Sequence, residues 1–396
     1  METGPLRASV EGAAPSRAGV LELRDVTKRY GRDGRPAVDA LSLTVPAGDV
    51  CVLIGPSGCG KTTALKMVNR LIEPTAGEIL IDGRSVRERP PAQLRREVGY
   101  VIQQVGLLPH LTVFANVATV PRLLGWGKER IRTRVRELLE LIGMDPDEFA
   151  ARYPAQLSGG QQQRVGLARA LAGDPPVMLM DEPFSAVDPI TRERLQNDFL
   201  YLHRAVPKTV VFVSHDIDEA VKMADRIAVM REGRLVQYAP PADLLASPVD
   251  EFVADFVGAD RALKSLSLTR LEEIDLVAPP LVRVGETVSG VRGRIADGDL
   301  APIGGHVLVA DRVGRPLDWL PMSRLAGADT VPERPPGGAE PIIDRVTTLR
   351  DALSAIIEAD SAYGAVVNGN GRCVGLVGAA QIASGLRQLA DVDGDG

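Results

Sequence analysis

Eight consecutive residues, Gly55-Pro56-Ser57-Gly58-Cys59-Gly60-Lys61-Thr62, constrain this chain more than any other stretch. They follow an apolar run, Val50–Ile54, that reads as a buried strand, and they open a helix expected from Lys61 to about Leu71. The glycines allow successive backbone N–H groups to turn inward at a helix N-terminus, which makes a cradle for phosphate. Lys61 can reach the outer phosphates of a nucleotide, the Thr62 hydroxyl can ligate Mg²⁺, and Thr63 extends the same helix start. Four fixed positions in the pattern G-x-x-x-x-G-K-[ST] arise by chance at a rate on the order of 10⁻⁵ per start site, well under a percent over this length. A nucleotide and Mg²⁺ are therefore the expected ligands.

A second run, Val177-Met178-Leu179-Met180-Asp181-Glu182, supplies the other half of such a site. Four apolar residues read as a central strand that delivers two adjacent carboxylates to its end. Asp181 can hold Mg²⁺ through water, and Glu182 can polarise an attacking water. Alone, an apolar strand ending in Asp-Glu is usually structural. Downstream of a phosphate loop it reads as catalytic.

At Leu157-Ser158-Gly159-Gly160-Gln161 the chain resembles the ABC ATPases, whose signature sequence this is. Ser158 and the glycine N–H groups make another anion-binding terminus, on a helix expected from Gln161 to about Leu171. In that family the signature closes on ATP held by the opposite subunit, so the resemblance implies a head-to-tail homodimer. It further implies roles for Gln103, in Tyr100-Val-Ile-Gln103-Gln104, as the glutamine that contacts Mg²⁺ and the attacking water, with Gln104 open as the alternative register. His215, in Val213-Ser-His215-Asp216, resembles the switch histidine at the γ-phosphate. Ser185-Ala-Val-Asp188 resembles the loop that links the two sites. Tyr30 matches the aromatic that stacks on adenine, against the plainer reading of a surface-packing tyrosine.

Composition limits the alternatives. The 396 residues exceed one ordinary core, and 45% hydrophobic with 25% charged residues describe a soluble globular protein. A net charge of -6 argues against a nucleic-acid partner. Cys51, Cys59 and Cys373 fit neither a disulfide framework nor a zinc site, which suits a reducing cytosol. No stretch approaches the roughly 20 apolar residues of a membrane span. Residues 1–19 carry no apolar signal region and are expected to be a flexible tail. A membrane role must then come through a partner.

Residues 20–258 alternate short β-branched runs with amphipathic stretches, the pattern of an α/β domain. Leu21 to Val45 suits an antiparallel β-layer beside the main sheet, and Arg130–Ile142 repeats apolar residues at helical spacing. Beyond a connector at 259–278, Gly, Pro and short valine-rich runs dominate. His306–Leu320 resembles Tyr363–Val377; Gly314 then matches Gly371, 57 residues on, and Asp311 matches Asn368. Each copy reads as strand, tight turn, strand, so two small βα modules are expected at 279–327 and 340–390. Asp329–Glu340 is the linker between them, and an acidic tail at 391–396 closes the chain.

The segment Val105–Trp126 is strongly apolar and would leave Leu107, Leu108, Leu111 and Phe114 exposed or half-buried. In ABC ATPases this region receives a coupling helix from a membrane permease. Its wording, with the connector Gly258–Leu268, looks like the importers of glycine betaine, carnitine, choline and proline. The paired C-terminal copies resemble tandem CBS domains. Nucleotide-binding CBS copies end in Gly-hydrophobic-hydrophobic-Thr/Ser-x-x-Asp, whereas this chain has Gly375-Leu-Val-Gly378-Ala-Ala-Gln381, with Arg324 at the matching place in the first copy. The adenosine-contacting groups are missing, so the module is expected to be degenerate. In osmoregulated relatives the pair gates activity by ionic strength, as screening of charges would allow.

The resemblances together imply a P-loop NTPase domain of the ABC type, with an antiparallel β-layer and a helical signature subdomain, followed by a degenerate tandem CBS module. The implied activity is ATP hydrolysis powering import through a permease on the cytoplasmic face of the plasma membrane, with an outer substrate-binding protein delivering cargo. An ABC importer for another small solute, and a soluble ABC module outside transport, are the alternatives.

Overall fold

A computed structural model describes residues 18–31, 34–102, 106–185, 187–333 and 337–392, the side chains as far as 386. The chain divides into two units, 1–258 and 259–396.

In the first unit, strands β1 (Leu21–Lys28), β2 (Val38–Val45), β4 (Ala76–Ile81) and β5 (Arg84–Ser85) form a four-stranded layer in the order β2-β1-β4-β5. Their pairings are antiparallel, and Leu21, Leu23, Val26, Leu41, Leu43 and Val45 face one core. The main sheet has six strands in the order β10-β9-β3-β8-β7-β6. These are β3 (Val50–Ile54), β6 (Val98–Val101), β7 (Val177–Asp181), β8 (Thr209–Val213), β9 (Arg226–Arg231) and β10 (Arg234–Ala239). Strands β3, β7 and β8 are buried along their whole length. Strands covered on both faces need unbroken apolar runs, which is why these three do not alternate.

Register decides where the chemistry goes. Leu53 pairs with Val213, and Val213 pairs with Asp181, so β3, β8 and β7 end in one row. All three run parallel, and the segments leaving their carboxyl ends are therefore neighbours. Those segments begin at Gly55, Ser214 and Glu182.

Some boundaries shift from the sequence expectation. The helix after the phosphate loop spans Lys61–Val68, with Asn69 as its C-cap. The helix expected at Arg130–Ile142 spans Lys128–Leu141. The signature helix begins at Gly159 rather than Gln161, because Ser158 and Gln161 close a capping box around its first turn. Residues 1–17 lie outside the described residues, but Gly19 belongs to the fold: its N–H donates to the Pro176 carbonyl and its carbonyl accepts from Thr209 Oγ1.

The second unit contains two copies of one β-α-β-β unit. The first has β11 (Leu281–Arg283), a helix Val288–Ala296, β12 (His306–Ala310) and β13 (Pro316–Pro321). The second has β14 (Ile342–Asp344), a helix Leu349–Glu358, β15 (Gly364–Val367) and β16 (Cys373–Val377), followed by a helix Ala379–Val392. Asp311 Oδ1 accepts from the N–H groups of Val313, Gly314 and Arg315, and Asn368 Oδ1 accepts from those of Asn370 and Arg372. The hairpin loops are longer than a two-residue turn, and these side chains organise them.

Each copy completes the other. Val277, ahead of the first copy, bridges to Leu376 in β16; Gly338, ahead of the second, bridges to Asp318 in β13. Leu266, Leu271 and Ile274, within the stretch expected as a connector, are buried against Ile343, Leu349 and Ile356 of the second copy. Val331, in the expected linker, is buried in the first copy's core. Apolar side chains of these small modules find enough partners only by crossing over. Pro335, Pro336 and residues 393–396 lie outside the described residues.

Candidate nucleotide site

The phosphate loop owes its path to two glycines. A Cβ on Gly55 would lie 2.1 Å from the Met230 carbonyl oxygen, and one on Gly60 would lie 2.3 Å from that of Ala37. Both also have positive φ, 143° and 103°, so the loop is pressed against β9 and the β1–β2 connection in a form only glycine tolerates. Pro56, Ser57 and Gly58 make the exposed tip, while Cys59 is buried beneath it.

Lys61 is folded into this loop. Its Nζ donates to the Gly55 carbonyl at 2.6 Å and the Pro56 carbonyl at 3.1 Å, and lies 3.7 Å from Cys59 Sγ. The ammonium is thus held against the loop's own carbonyls, and phosphate oxygens could take over its hydrogen bonds. Thr62 Oγ1 donates to Asp181 Oδ1 at 2.9 Å, and Thr63 occupies the next turn position, partly exposed. A hydroxyl and a carboxylate are hard oxygen donors, the set that suits Mg²⁺ alongside substrate phosphates.

Glu182 leaves the end of β7 with φ 46°, a left-handed conformation costing a non-glycine residue roughly 1–2 kcal/mol. The structure compensates locally. Glu182 N–H donates to the Val213 carbonyl at 3.1 Å, and Ser185 Oγ donates to the Glu182 carbonyl at 3.0 Å. The bend aims the carboxylate at His215: Glu182 Oε2 lies 3.8 Å from His215 Nδ1. The imidazole is 63% exposed and the carboxylate 26%. A water-accessible carboxylate beside an exposed imidazole can handle the protons of a hydrolytic attack.

Ser158 N–H donates to Gln161 Oε1 at 2.9 Å, and Gln161 N–H donates to Ser158 Oγ at 3.3 Å. Gly159 faces open space, while Gly160 lies against Thr191. Asp188 caps the helix Pro189–Ala205 through Thr191 N–H at 3.0 Å, and that hydrogen bond holds its carboxyl below the ordinary range. Tyr30 is 56% exposed, and the Lys28 ammonium sits 5.2 Å from its ring centre. Gln103 and Gln104 lie outside the described residues.

The structure therefore brings Lys61, Thr62, Asp181, Glu182 and His215 to one edge, and leaves the signature residues bonded among themselves. Sequence reasoning missed several supports. Gln163, buried on the signature helix, donates to the Pro183 carbonyl just beyond Glu182. Buried Asn116 ties the apolar segment together, accepting from Leu108 N–H at 2.8 Å and donating to the carbonyls of Leu108, Leu111 and Thr112. Around it Leu107, Leu111 and Phe114 are half-buried and Leu108 exposed. An Asn or Gln carries no mark of its partner in the linear chain.

The family described as ABC transporter matches residues 38–185. The osmoprotectant import ATP-binding protein OsmV of Salmonella typhimurium is 46% identical over 377 residues, covering 93% of this chain and 96% of that protein. The choline transport ATP-binding protein OpuBA of Bacillus subtilis is 49% identical over 272 residues, 68% of this chain and 71% of that one. Among solved structures, the dimeric post-hydrolysis state of the ATP-binding cassette MJ0796 bound to ADP and Pi is similar at TM-score 0.50 and 35% identity, covering 56% of this chain and 98% of that one.

Proposed function

The chain belongs to the ATP-binding proteins of ABC transporters, and from that premise we propose that it powers import of a quaternary amine or related osmoprotectant (glycine betaine, choline, carnitine or proline) through a partner permease. The observation that carries the catalytic half is the common row of β3, β7 and β8, which gathers Lys61, Asp181, Glu182 and His215 at one edge. The solute class rests on the identity with osmoprotectant and choline transport proteins over most of the chain.

The backbone N–H groups of residues 57–62 and the Lys61 ammonium bind the phosphates. Thr62 and Asp181 would hold Mg²⁺, with Gln103 as a further ligand, and bound Mg²⁺ supplies charge neutralisation at the phosphates. Glu182 accepts a proton from the attacking water, and His215 steadies the terminal phosphate from the neighbouring strand end. Tyr30, exposed just after β1, offers its ring to adenine.

Two copies acting head to tail explain the signature. Ser158 and Gly159 present a capped helix terminus with open space before it, and a second chain's nucleotide fits that place better than its own. Asp188 starts the helix next to this terminus. The half-buried apolar surface around Phe114, stiffened by Asn116, is the seat for a permease helix. No helix among the described residues is long and apolar enough to cross a membrane, so attachment to the inner membrane face comes through that permease, with a substrate-binding protein on the far side. The C-terminal pair acts as a degenerate CBS module that gates turnover by ionic strength.

Reconstitution with the cognate permease and binding protein tests this. Betaine, choline or proline should stimulate ATP turnover, more at high salt than at low. Stimulation by an unrelated solute alone would remove the osmoprotectant assignment.

A further inference from the structure

Behind His215 lies a buried polar network that the chemistry above does not use. Glu219, on the helix Ile217–Met223, is only 7% exposed, and Gln196, on the helix Pro189–Ala205, only 6%. Gln196 Nε2 donates to Glu219 Oε1 at 3.0 Å, and Ser214 Oγ donates to Glu219 Oε2. Ser214 is the residue before His215. Its N–H donates to the Leu53 carbonyl at 3.1 Å, ahead of the phosphate loop, and its Oγ accepts from Asp216 N–H at 3.0 Å. Asp216 Oδ1 in turn accepts from the N–H groups of Asp218 and Glu219. The backbone on both sides of His215 is therefore stapled, while its imidazole stays exposed.

The other end of the network reaches the segment before Asp188's helix. Arg192, one turn ahead of Gln196 and on the same helix face, donates to the Val187 carbonyl at 3.3 Å. Its charge also acts on Glu219. One buried carboxylate thus joins the turn that carries His215 to the helix that follows Asp188. A buried carboxylate is costly unless it is fully bonded, and an aliphatic residue would fill this space at lower cost. Its hydrogen bonds are spent on the two segments flanking the site.

We propose that Glu219 is a positioning residue: it locks the Ser214–Asp216 turn to the helix Pro189–Ala205, so that the imidazole of His215 meets the nucleotide only when that helix is in place. This rests on the proposed ATP-hydrolysing site, and it adds a route by which the Asp188 segment controls His215.

The test compares ATP turnover and fluorescent ATP-analogue binding in the full-length chain. Glu219→Ala and Gln196→Leu should each lower kcat by roughly 10- to 100-fold, the scale of a small misplacement, while analogue affinity stays within about 2-fold. Glu219→Gln should recover most of the turnover, since a flipped Gln196 amide can still pair with it. In a His215→Ala background, Glu219→Ala should cost less than about 2-fold more, because residues acting as one unit are not additive. Should Glu219→Ala fail to fold, Ser214→Ala and Gln196→Leu carry the same comparison. An equal further loss in the His215→Ala background, or a matching loss of affinity, overturns the proposal. Normal turnover by His215→Ala would instead overturn the underlying reading of the site.

Discussion

The Thr62 hydroxyl donates a 2.9 Å hydrogen bond to Asp181 Oδ1, joining a helix start to a strand end 119 residues downstream. In parallel α/β sheets such a meeting follows from strand order, since β8 lies between β3 and β7 and all three end in one row. Asp181→Asn leaves the hydrogen bond possible but removes the charge. The Mg²⁺ concentration for half-maximal turnover should rise by about 10- to 100-fold, read by titrating Mg²⁺ at saturating ATP. An unchanged midpoint would show that Asp181 does not help to hold the ion.

Lys61 is bonded to the carbonyls of Gly55 and Pro56, where phosphate oxygens would compete for its protons. Lys61→Ala should weaken ATP binding by about 10- to 100-fold, the worth of one or two charge-assisted hydrogen bonds. Isothermal titration reads this directly, and wild-type affinity would move phosphate binding away from this loop.

Glu182 is held in a strained conformation that points its carboxylate toward His215. Glu182→Gln keeps the shape and removes the proposed base. Turnover should fall by about 100- to 10,000-fold with ATP affinity retained, and the variant should accumulate as an ATP-bound dimer on size-exclusion chromatography. Turnover at the parent rate would refute the assigned base.

Burial, outweighing the hydrogen bonds from Ser214 and Gln196, raises the Glu219 carboxyl above its ordinary range; Asp216 adds to the rise and Arg192 opposes it. A raised acid favours its protonated form in the fold, so its contribution is full below the unfolded value and is lost as pH climbs through the folded one. Glu219→Gln has no charge to bury. Its melting temperature relative to the parent should therefore rise as pH climbs above the ordinary carboxyl value of 4.5, and a flat or falling difference would contradict the raised carboxyl.

The first unit has its own core in the two β-layers and their helices. A chain ending at Gly258 should fold and hydrolyse ATP but lose the salt dependence of the full-length protein. Identical salt responses from the two chains would remove the gating role of the C-terminal pair.

How much of this was legible in advance depended on whether the signal was local. Gly55–Thr62 and Val177–Glu182 could be read because a phosphate cradle and a buried parallel strand each impose a pattern on consecutive residues. The C-terminal repeat was read only in its hairpin half. The hairpins match at 57 residues, but the helix caps Thr287 and Thr348 stand 61 apart, because the first copy has a longer loop between its helix and β12 than the second has before β15. The crossing of Val277 and Gly338 into each other's sheets left no such trace.

The glycine-rich loop, the carboxylate-ending strand and the helix capped by Ser158 could each be read from consecutive residues, since glycine, apolar and capping patterns are set by backbone sterics within a few positions. Tertiary packing is what leaves no room for a Cβ at Gly55 and Gly60, where Met230 and Ala37 press on the loop. It also decided that Glu182 is bent toward His215, and that Glu219 ties His215's turn to a distant helix. Those relations depend on strand register and on which polar groups are sealed from water together, and neither is written in any one segment of the chain.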